Sequence, residues 1–339
     1  MSYTPPQIQS VHFPKFRAGL PSMAGKTVAI TGTTSGTGKS AAHTVAELGA
    51  KVLLLNRAST RSEASLADLS AAVPGAEFHA VECDLQSFAS VKAAAAKIVD
   101  LCPEGVHVLC NNAGVMALAD VATDDGYDVQ MQTNHLSHFL LTRELMPLLE
   151  LAADASGDAR VVNHSSVARM SPGKQLIGDY LEKRGGSLGG DGNAILNALF
   201  RGPRWVRYNQ SKLANAAFTA ALHARLRAAG SKVKALVAHP GFANTNLQQT
   251  SVKAGGMGSL LTGMMMKTSQ SIDDGALGIL SGICLAEAES GQFYGPGAGA
   301  FSFKGAAQPF ALESFYDNAE TRELLWEKSE DAIGQSFDI

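Results

Sequence analysis

Lys26-Thr27-Val28-Ala29-Ile30-Thr31-Gly32-Thr33-Thr34-Ser35-Gly36-Thr37-Gly38-Lys39-Ser40 is the stretch whose reading decides the fold. Lys26–Thr31 is apolar and β-branched and reads as a strand, and an Ala-rich helical segment runs from Gly38 to Leu48. Between them the glycines follow the pattern G-x-x-x-G-x-G. Glycine at a strand-to-helix turn permits a tight bend, lets backbone approach a phosphate and puts its charge at a helix N-terminus. An ordinary connecting loop is the plainer alternative. Gly38-Lys39-Ser40 also looks like the end of a P-loop, but that motif requires glycine where Thr33 stands, so an ATPase or kinase reading is set aside.

Outward from this turn, short apolar runs alternate with longer helix-period segments. Val52–Leu55, Phe78–Val81, Val106–Cys110, Arg160–Asn163 and Val233–Ala238 read as strands. Thr60–Val73, Phe88–Leu101, Tyr127–Leu149 and Val206–Ala229 read as helices. Strands apolar on both faces and separated by helices imply a parallel sheet covered on both sides. The expected fold is a single doubly wound (Rossmann) α/β domain, with a parallel sheet of about seven strands and two lid-like insertions. Residues 25–339 form that domain, and residues 1–24, with prolines at 5, 6, 14 and 21, form an extended arm. The first insertion, 169–204, is rich in glycine; the second, 246–270, is expected to be a substrate lid and contains the Met-rich run Ser251–Lys267. Each follows a strand end, where ligands of open α/β sheets bind.

Composition narrows the partners. Of 339 residues 45% are apolar and 17% charged, enough apolar content for a large core. The 28 basic and 31 acidic residues give a net charge of −3, without the basic clusters that nucleic acid demands. A small molecule is the partner implied. Cys83, Cys102, Cys110 and Cys284 make no C-x-x-C pair, which points to a reducing compartment rather than a disulfide framework. The N-terminal residues lack the apolar run of a secretory signal, and no stretch is long and apolar enough for a membrane span. A cytoplasmic location is expected, with an organelle left open.

Tyr208-Asn209-Gln210-Ser211-Lys212 places Tyr and Lys four apart, on one helix face. A nearby ammonium favours the phenolate, and the lowered pKa suits proton exchange with a substrate oxygen. Alone, such a pair is common as a solvated surface feature. It is accompanied here by Thr31–Gly38, Asn111-Asn112-Ala113-Gly114, Asn134 and Ser165-Ser166. In that order these motifs resemble the short-chain dehydrogenase/reductase family, across residues 25 to 335. Segments such as Thr133–Thr142 (TNHLSHFLLT), YNQSKLAN, HPG at 239–241 and Leu324–Gly334 are similar to the retinol dehydrogenase and protochlorophyllide reductase branch. Many enzymes of that branch act on bulky apolar carbonyls.

The resemblance implies roles. Tyr208 would be the acid/base and Lys212 would tune it and bind the nicotinamide ribose. Ser166, rather than Ser165, would orient the substrate oxygen. Asn134 would hold a water that links Lys212 to solvent. Ser166 and Tyr208 lie 42 residues apart, wider than is usual in the family, because the Gly-rich insertion separates them. Gly32, Thr34, Ser35, Gly36, Thr37 and Gly38 would cradle the pyrophosphate. Asp84 and Leu85 would meet the adenine, and Asn112, Ala113 and Gly114 would flank the adenosine. Pro240, Gly241 and Thr245 would lie at the carboxamide, with a hydrogen bond from Thr245.

At the end of the second strand, an acidic residue would repel a 2′-phosphate. Neutral Asn56 followed by Arg57 favours NADP(H) instead. Ser35 omits a second basic residue that some members carry. Lys39 reads as a solvated helix lysine that could supplement the phosphate site.

His135, His138, His164 and His239 lack further ligands at zinc spacing and read as core or substrate-wall residues, so no metal is expected. Met264–Met266 are packing residues or a flexible substrate wall. Ser166 lacks a G-x-S-x-G elbow, which excludes that hydrolase class. The expected activity is NADP(H)-linked carbonyl reduction, or its reverse, on a bulky apolar molecule. Two alternatives are reduction of a conjugated C=C bond and a non-catalytic dinucleotide sensor; a pure sensor would not need Asn134, Ser166, Tyr208 and Lys212 together. Monomer and homodimer both remain open.

Overall fold

Strand β1 (Thr27–Thr31) has its last four residues buried, Val28 and Ile30 facing one layer of the core and Ala29 the other. That two-sided burial places it inside a sheet. In a computed structural model describing residues 8–171, 173–257, 262–263, 266–297 and 303–339, β1 lies between β2 (Lys51–Asn56) and β4 (Val108–Asn111), parallel to both. With β3 (Phe78–Glu82), β5 (Ala159–His164), β6 (Val233–Ala238), β7 (Gln292–Pro296) and β8 (Ala307–Ala311), the order is β3-β2-β1-β4-β5-β6-β7-β8.

Seven strands are parallel and the eighth pairs antiparallel to β7, Phe293 opposite Phe310. β8 escapes a reading by pattern because Ala-Gln-Pro-Phe-Ala is short, half-exposed and interrupted by Pro309, which an edge strand tolerates. Chain order reverses beside β1, so the carboxyl ends of β1 and β4 bound the crevice of a doubly wound fold.

Helices α2 (Gly36–Glu47), α3 (Thr60–Ala72) and α10 (Ile272–Cys284) cover one face, burying Ala41, Val45, Leu69, Ile279 and Ile283 against Val28, Ile30, Val52 and Leu54. On the other face α4 (Phe88–Leu101), α6 (Ser137–Ser156), α8 (Pro203–Ala228) and α11 (Ala319–Ile333) pack against Ala29, Leu53 and Leu55. Each large apolar side chain so buried contributes about 1.5–3 kcal/mol. Phe139, Phe218, Trp326 and Phe337 form an aromatic cluster through which α11 covers α6 and α8. No helix among the described residues is long and apolar enough to cross a membrane.

The N-terminal arm is not extended throughout. Phe13–Ala18 is the short helix α1, and the Asp274 carboxylate accepts from the backbone N–H groups of Val11, His12 and Phe13 at 2.8–2.9 Å. Those donors have no partner inside the helix, so the buried carboxylate both caps α1 and ties the arm to α10. Pro5 and Pro6 lie outside the described residues. A short 3-10 turn at Val167–Met170 leads into the first insertion, which contains another at Gly178–Leu181 and the helix α7 (Ala194–Ala198); α9 (Asn246–Lys253) opens the second.

Candidate active site

The turn between β1 and α2 is shaped by close packing. Gly32 and Gly36 have φ of +73° and +63°, which residues with a Cβ rarely adopt. A Cβ on Gly38 would lie 2.3 Å from Asn112 Nδ2 and 2.4 Å from Gly32 O. α2 therefore begins at Gly36, two residues before the pattern suggests, with its N-terminal N–H groups at the carboxyl edge. Thr245 stands across from it, its Cβ 3.5 Å from the position a Gly36 Cβ would take.

Asn112 braces the turn: Nδ2 donates to Thr31 O, Oδ1 accepts from Thr37 Oγ1, and Oδ1 also meets His164 Nδ1 at 2.9 Å. The backbone N–H groups of Asn112 and Ala113 donate to Thr31 Oγ1. Asn56 is turned back onto the glycine turn, accepting from Thr33 N and donating to Thr33 Oγ1. Arg57 is exposed just beyond it. Lys39 is ion-paired with Asp68 at 2.7 Å. Asp84 closes its own turn onto Gln86 N, and Leu85 O accepts from Ser137 Oγ. Thr245 Oγ1 donates to Gln248 Oε1, Pro240 O accepts from Gln270 Nε2, and Gly241 packs against Phe303 O and Pro296.

The proton-handling residues meet where β5 ends against α8. Helical spacing puts Trp205, Tyr208 and Lys212 on the face of α8 turned to the sheet edge. Ser165 Oγ donates to Lys212 O at 2.6 Å and is thereby committed to holding α8. Ser166 caps the following 3-10 turn through Ala168 N and hydrogen-bonds the Tyr208 hydroxyl. Lys212 Nζ donates to His164 O at 2.9 Å, a carbonyl that Asn215 also reaches.

Asn134 lies in a turn of π-helix, Gln132–Leu136, between α5 (Val129–Met131) and α6. Its amide is tied to both backbone atoms of Val115 and to Ser211 Oγ. A Cβ on Gly114 would sit 3.1 Å from Asn134 Oδ1 and 3.2 Å from Lys212 Nζ, so glycine leaves room for both. Single π turns often mark functional sites, and a five-residue local widening leaves no trace in hydrophobic periodicity.

Electrostatics run opposite to the sequence expectation for the phenol. Burial pushes the Tyr208 pKa up to about 12, partly offset by the hydrogen bond with Ser166. Burial also lowers Lys212 to about 7, because its ammonium is taken out of water. Desolvation thus dominates at both groups in this site.

Burial likewise lowers the histidines, His138 to about 4 and His135, His164 and His239 to about 3. They act as neutral hydrogen-bonding residues: His138 Nδ1–H donates to Asn134 O, leaving Nε2 to accept from Thr31 Oγ1. Among the described residues no group of three or more His, Cys, Asp or Glu could hold a metal.

An apolar cluster of Met116, Ala117, Trp205 and Met257 packs around Tyr208. Met266 is fully buried, whereas Met264 and Met265 lie outside the described residues. Two features escaped the sequence reading. Arg61, in the first turn of α3, reaches over the glycine turn, with Nη2 3.3 Å from Thr34 Oγ1 and 3.5 Å from Ser35 Oγ. A second basic residue four positions after Arg57 was the available signal. Arg207, fully buried beside Tyr208, pairs with Asp128 at 3.2 Å and Asp120 at 3.5 Å and donates to Leu188 O and Gly190 O. Asp120 in turn accepts from the N–H groups of Gly186, Leu188 and Gly190, so the first insertion is pinned to α8 through Arg207.

A family model for short chain dehydrogenases matches residues 26–178. The short-chain dehydrogenase/reductase drtF of Aspergillus calidoustus is 30% identical over 300 residues, 84% of this chain and 88% of that protein. The chain belongs to the short-chain dehydrogenase/reductase family. Human retinol dehydrogenase 13 is 35% identical over 223 residues, 66% of this chain; the match spans only 60% of the human protein. The crystal structure of an uncharacterised protein from Mycobacterium paratuberculosis superimposes with a TM-score of 0.69 at 32% identity, covering 98% of this chain and all of that one. Within this oxidoreductase family, the glycine turn and the Ser166–Tyr208–Lys212 cluster fit a nicotinamide dinucleotide along the carboxyl edge. Gly32 and Gly38 leave no room for a Cβ against Ala113 and Asn112, so the turn stays tight beneath the start of α2.

Proposed function

We propose that the protein is an NADP(H)-dependent oxidoreductase that interconverts a carbonyl and an alcohol on a bulky apolar small molecule. The observation that carries the reading is the convergence of Ser166, Tyr208, Lys212 and Asn134 beside the glycine turn. When bound, the nicotinamide supplies or accepts the hydride. Negative charge that grows on the substrate oxygen during reduction is met by the hydroxyls of Tyr208 and Ser166. The Tyr208 O–H bond breaks as the alcohol O–H forms, and the Lys212 ammonium stabilises the phenolate left behind. A phenol held near 12 stays protonated at neutral pH, the form that reduction consumes. Asn134 positions this end of α8 through Ser211.

The preference for NADP(H) is supported by two guanidiniums. Arg57 is exposed at the end of β2, and Arg61 lies over Thr34 and Ser35, where an acidic residue would repel a 2′-phosphate. An apolar substrate is supported by the uncharged wall of Met116, Trp205 and Met257 around Tyr208, and by the similarity to a relative named for retinol. The test is NADPH absorbance decay against a panel of aldehydes, ketones and quinones. Turnover of apolar carbonyls, faster with NADPH than NADH, is expected; inertness toward the whole panel would overturn the reading.

A further inference from the structure

Trp205 occupies an unusual crossing point. It precedes Tyr208 by three residues on α8, so the two rings share a helix face, 5.8 Å between centroids and nearly perpendicular at 86°. Phe200, from the first insertion, packs on its other side at 4.7 Å. The indole N–H donates to Gly256 O, 3.0 Å away in the second insertion. Gly256 is itself seated with little clearance: a Cβ there would lie 2.3 Å from Ala117 O. The preceding residue, Arg204, binds both insertions at once, donating to Asp191 O and Ala254 O and pairing with Asp191 Oδ2 at 2.8 Å. Its own carbonyl is held by Gln130 Nε2.

We infer that Trp205 is the specificity-determining residue of the substrate cleft, forming the apolar wall beside the Tyr208 hydroxyl and latching the 251–257 segment shut through its N–H. The inference deepens the carbonyl-reducing reading and rests on it. The physical argument has two parts. An indole packed edge-to-face on the Tyr208 ring is a large flat apolar surface without charge, so a portion of substrate that reaches it must be apolar to bury there. Trp205 also supplies the indole hydrogen bond that joins α8 to Gly256, while Arg204 supplies a neighbouring one to Ala254. Opening the cleft for a bulky molecule therefore costs the indole bond, and contact between substrate and indole offsets that cost. Small substrates gain the opening without the contact, which is how one residue sorts substrates by size.

Two variants separate wall from latch. Trp205→Phe keeps an aromatic wall and removes the donor; Trp205→Ala removes both. The first measurement is the ratio of kcat/KM for 2-naphthaldehyde to that for propanal with NADPH. A loss of folded protein scales both values alike and leaves this ratio untouched. Trp205→Ala should lower the ratio about tenfold or more, while Trp205→Phe retains most of it. A ratio unchanged or raised in Trp205→Ala overturns the wall. The second measurement is amide hydrogen exchange across residues 251–257 without substrate, which needs no turnover. Exchange there should quicken in both variants, with residues 31–38 unaffected; unchanged exchange in Trp205→Phe overturns the latch. Should wild-type protein reduce neither aldehyde while exchange responds as stated, it is the carbonyl-reducing reading that fails and the latch that stands.

Discussion

The cofactor half and the substrate half of the cleft are built by different physics. From Thr27 to Gly114 the edge is made of backbone devices: glycines at positive φ, a helix N-terminus, and side-chain amides that bracket the backbone of the turn, such as Asn56 onto Thr33 and Asn112 onto Thr31. From Val115 onward it depends on long cationic and aromatic side chains that clamp separate segments together. Arg207 gathers Asp120, Asp128 and the carbonyls of 188 and 190, while Arg204 and Trp205 reach Ala254 and Gly256. Backbone devices recur wherever a phosphate must be held, whereas side-chain clamps can be rebuilt around a different substrate. On the proposed function, binding a common cofactor and choosing a particular substrate fall to separable parts of one edge.

The strongest way to break that separation is Arg207→Leu. It leaves Asp120 and Asp128 buried without their cation, and Asp128 is already raised to about 6 by burial. A loss of about 3–5 kcal/mol in unfolding free energy is expected by denaturant titration. At temperatures where the variant remains folded, KM for the carbonyl should rise while NADPH affinity stays near wild type. Equal loss of both would show that the halves are coupled.

Arg57→Asp cuts the other way. A charge-assisted contact replaced by repulsion should lower the NADPH-over-NADH preference about ten- to a hundredfold, with carbonyl KM unmoved. Unchanged preference would transfer the phosphate to Arg61, whose replacement by Ala is the companion experiment.

A smaller effect sharpens the comparison through pH. Lys212, lowered to about 7, loses its proton as pH rises past neutrality, and with it the charge that the proposed mechanism sets beside the Tyr208 phenolate. Reduction should therefore slow as pH climbs through about 7, approaching tenfold per unit, while NADPH affinity changes little. The linkage has a definite sign. Between about 7 and Lys212's ordinary pKa of 10.5, the unfolded chain binds the proton that the folded one has released, so this group makes stability rise with pH. A flat rate profile across neutrality would remove Lys212 from the proton chemistry.

The same division explains what the sequence disclosed. Thr31–Gly38, the two-faced strands and the Tyr208/Lys212 spacing are periodic or local patterns, and each lies at the carboxyl edge or in the sheet it specified. Arg61 was passed over because its value comes from where α3 folds back over Thr34. Arg207 reads as an ordinary helix arginine until the glycine-rich insertion wraps it. The π turn at Asn134, the Asp274 cap on α1 and the antiparallel β8 all arise from tertiary partners that no periodicity announces. The phenol's raised pKa was misjudged for a related reason. Spacing reveals a neighbouring ammonium, but burial, which dominates here, is a property of the assembled site.

Tyr208→Phe tests the central claim most directly, because it deletes one hydroxyl from the buried cluster and leaves the ring against Trp205. NADPH-linked reduction of an apolar aldehyde should fall by about 10²–10⁴, with the dissociation constant for NADPH, read by fluorescence titration, within a few-fold of wild type. Turnover close to wild type in the hydroxyl's absence would contradict the account.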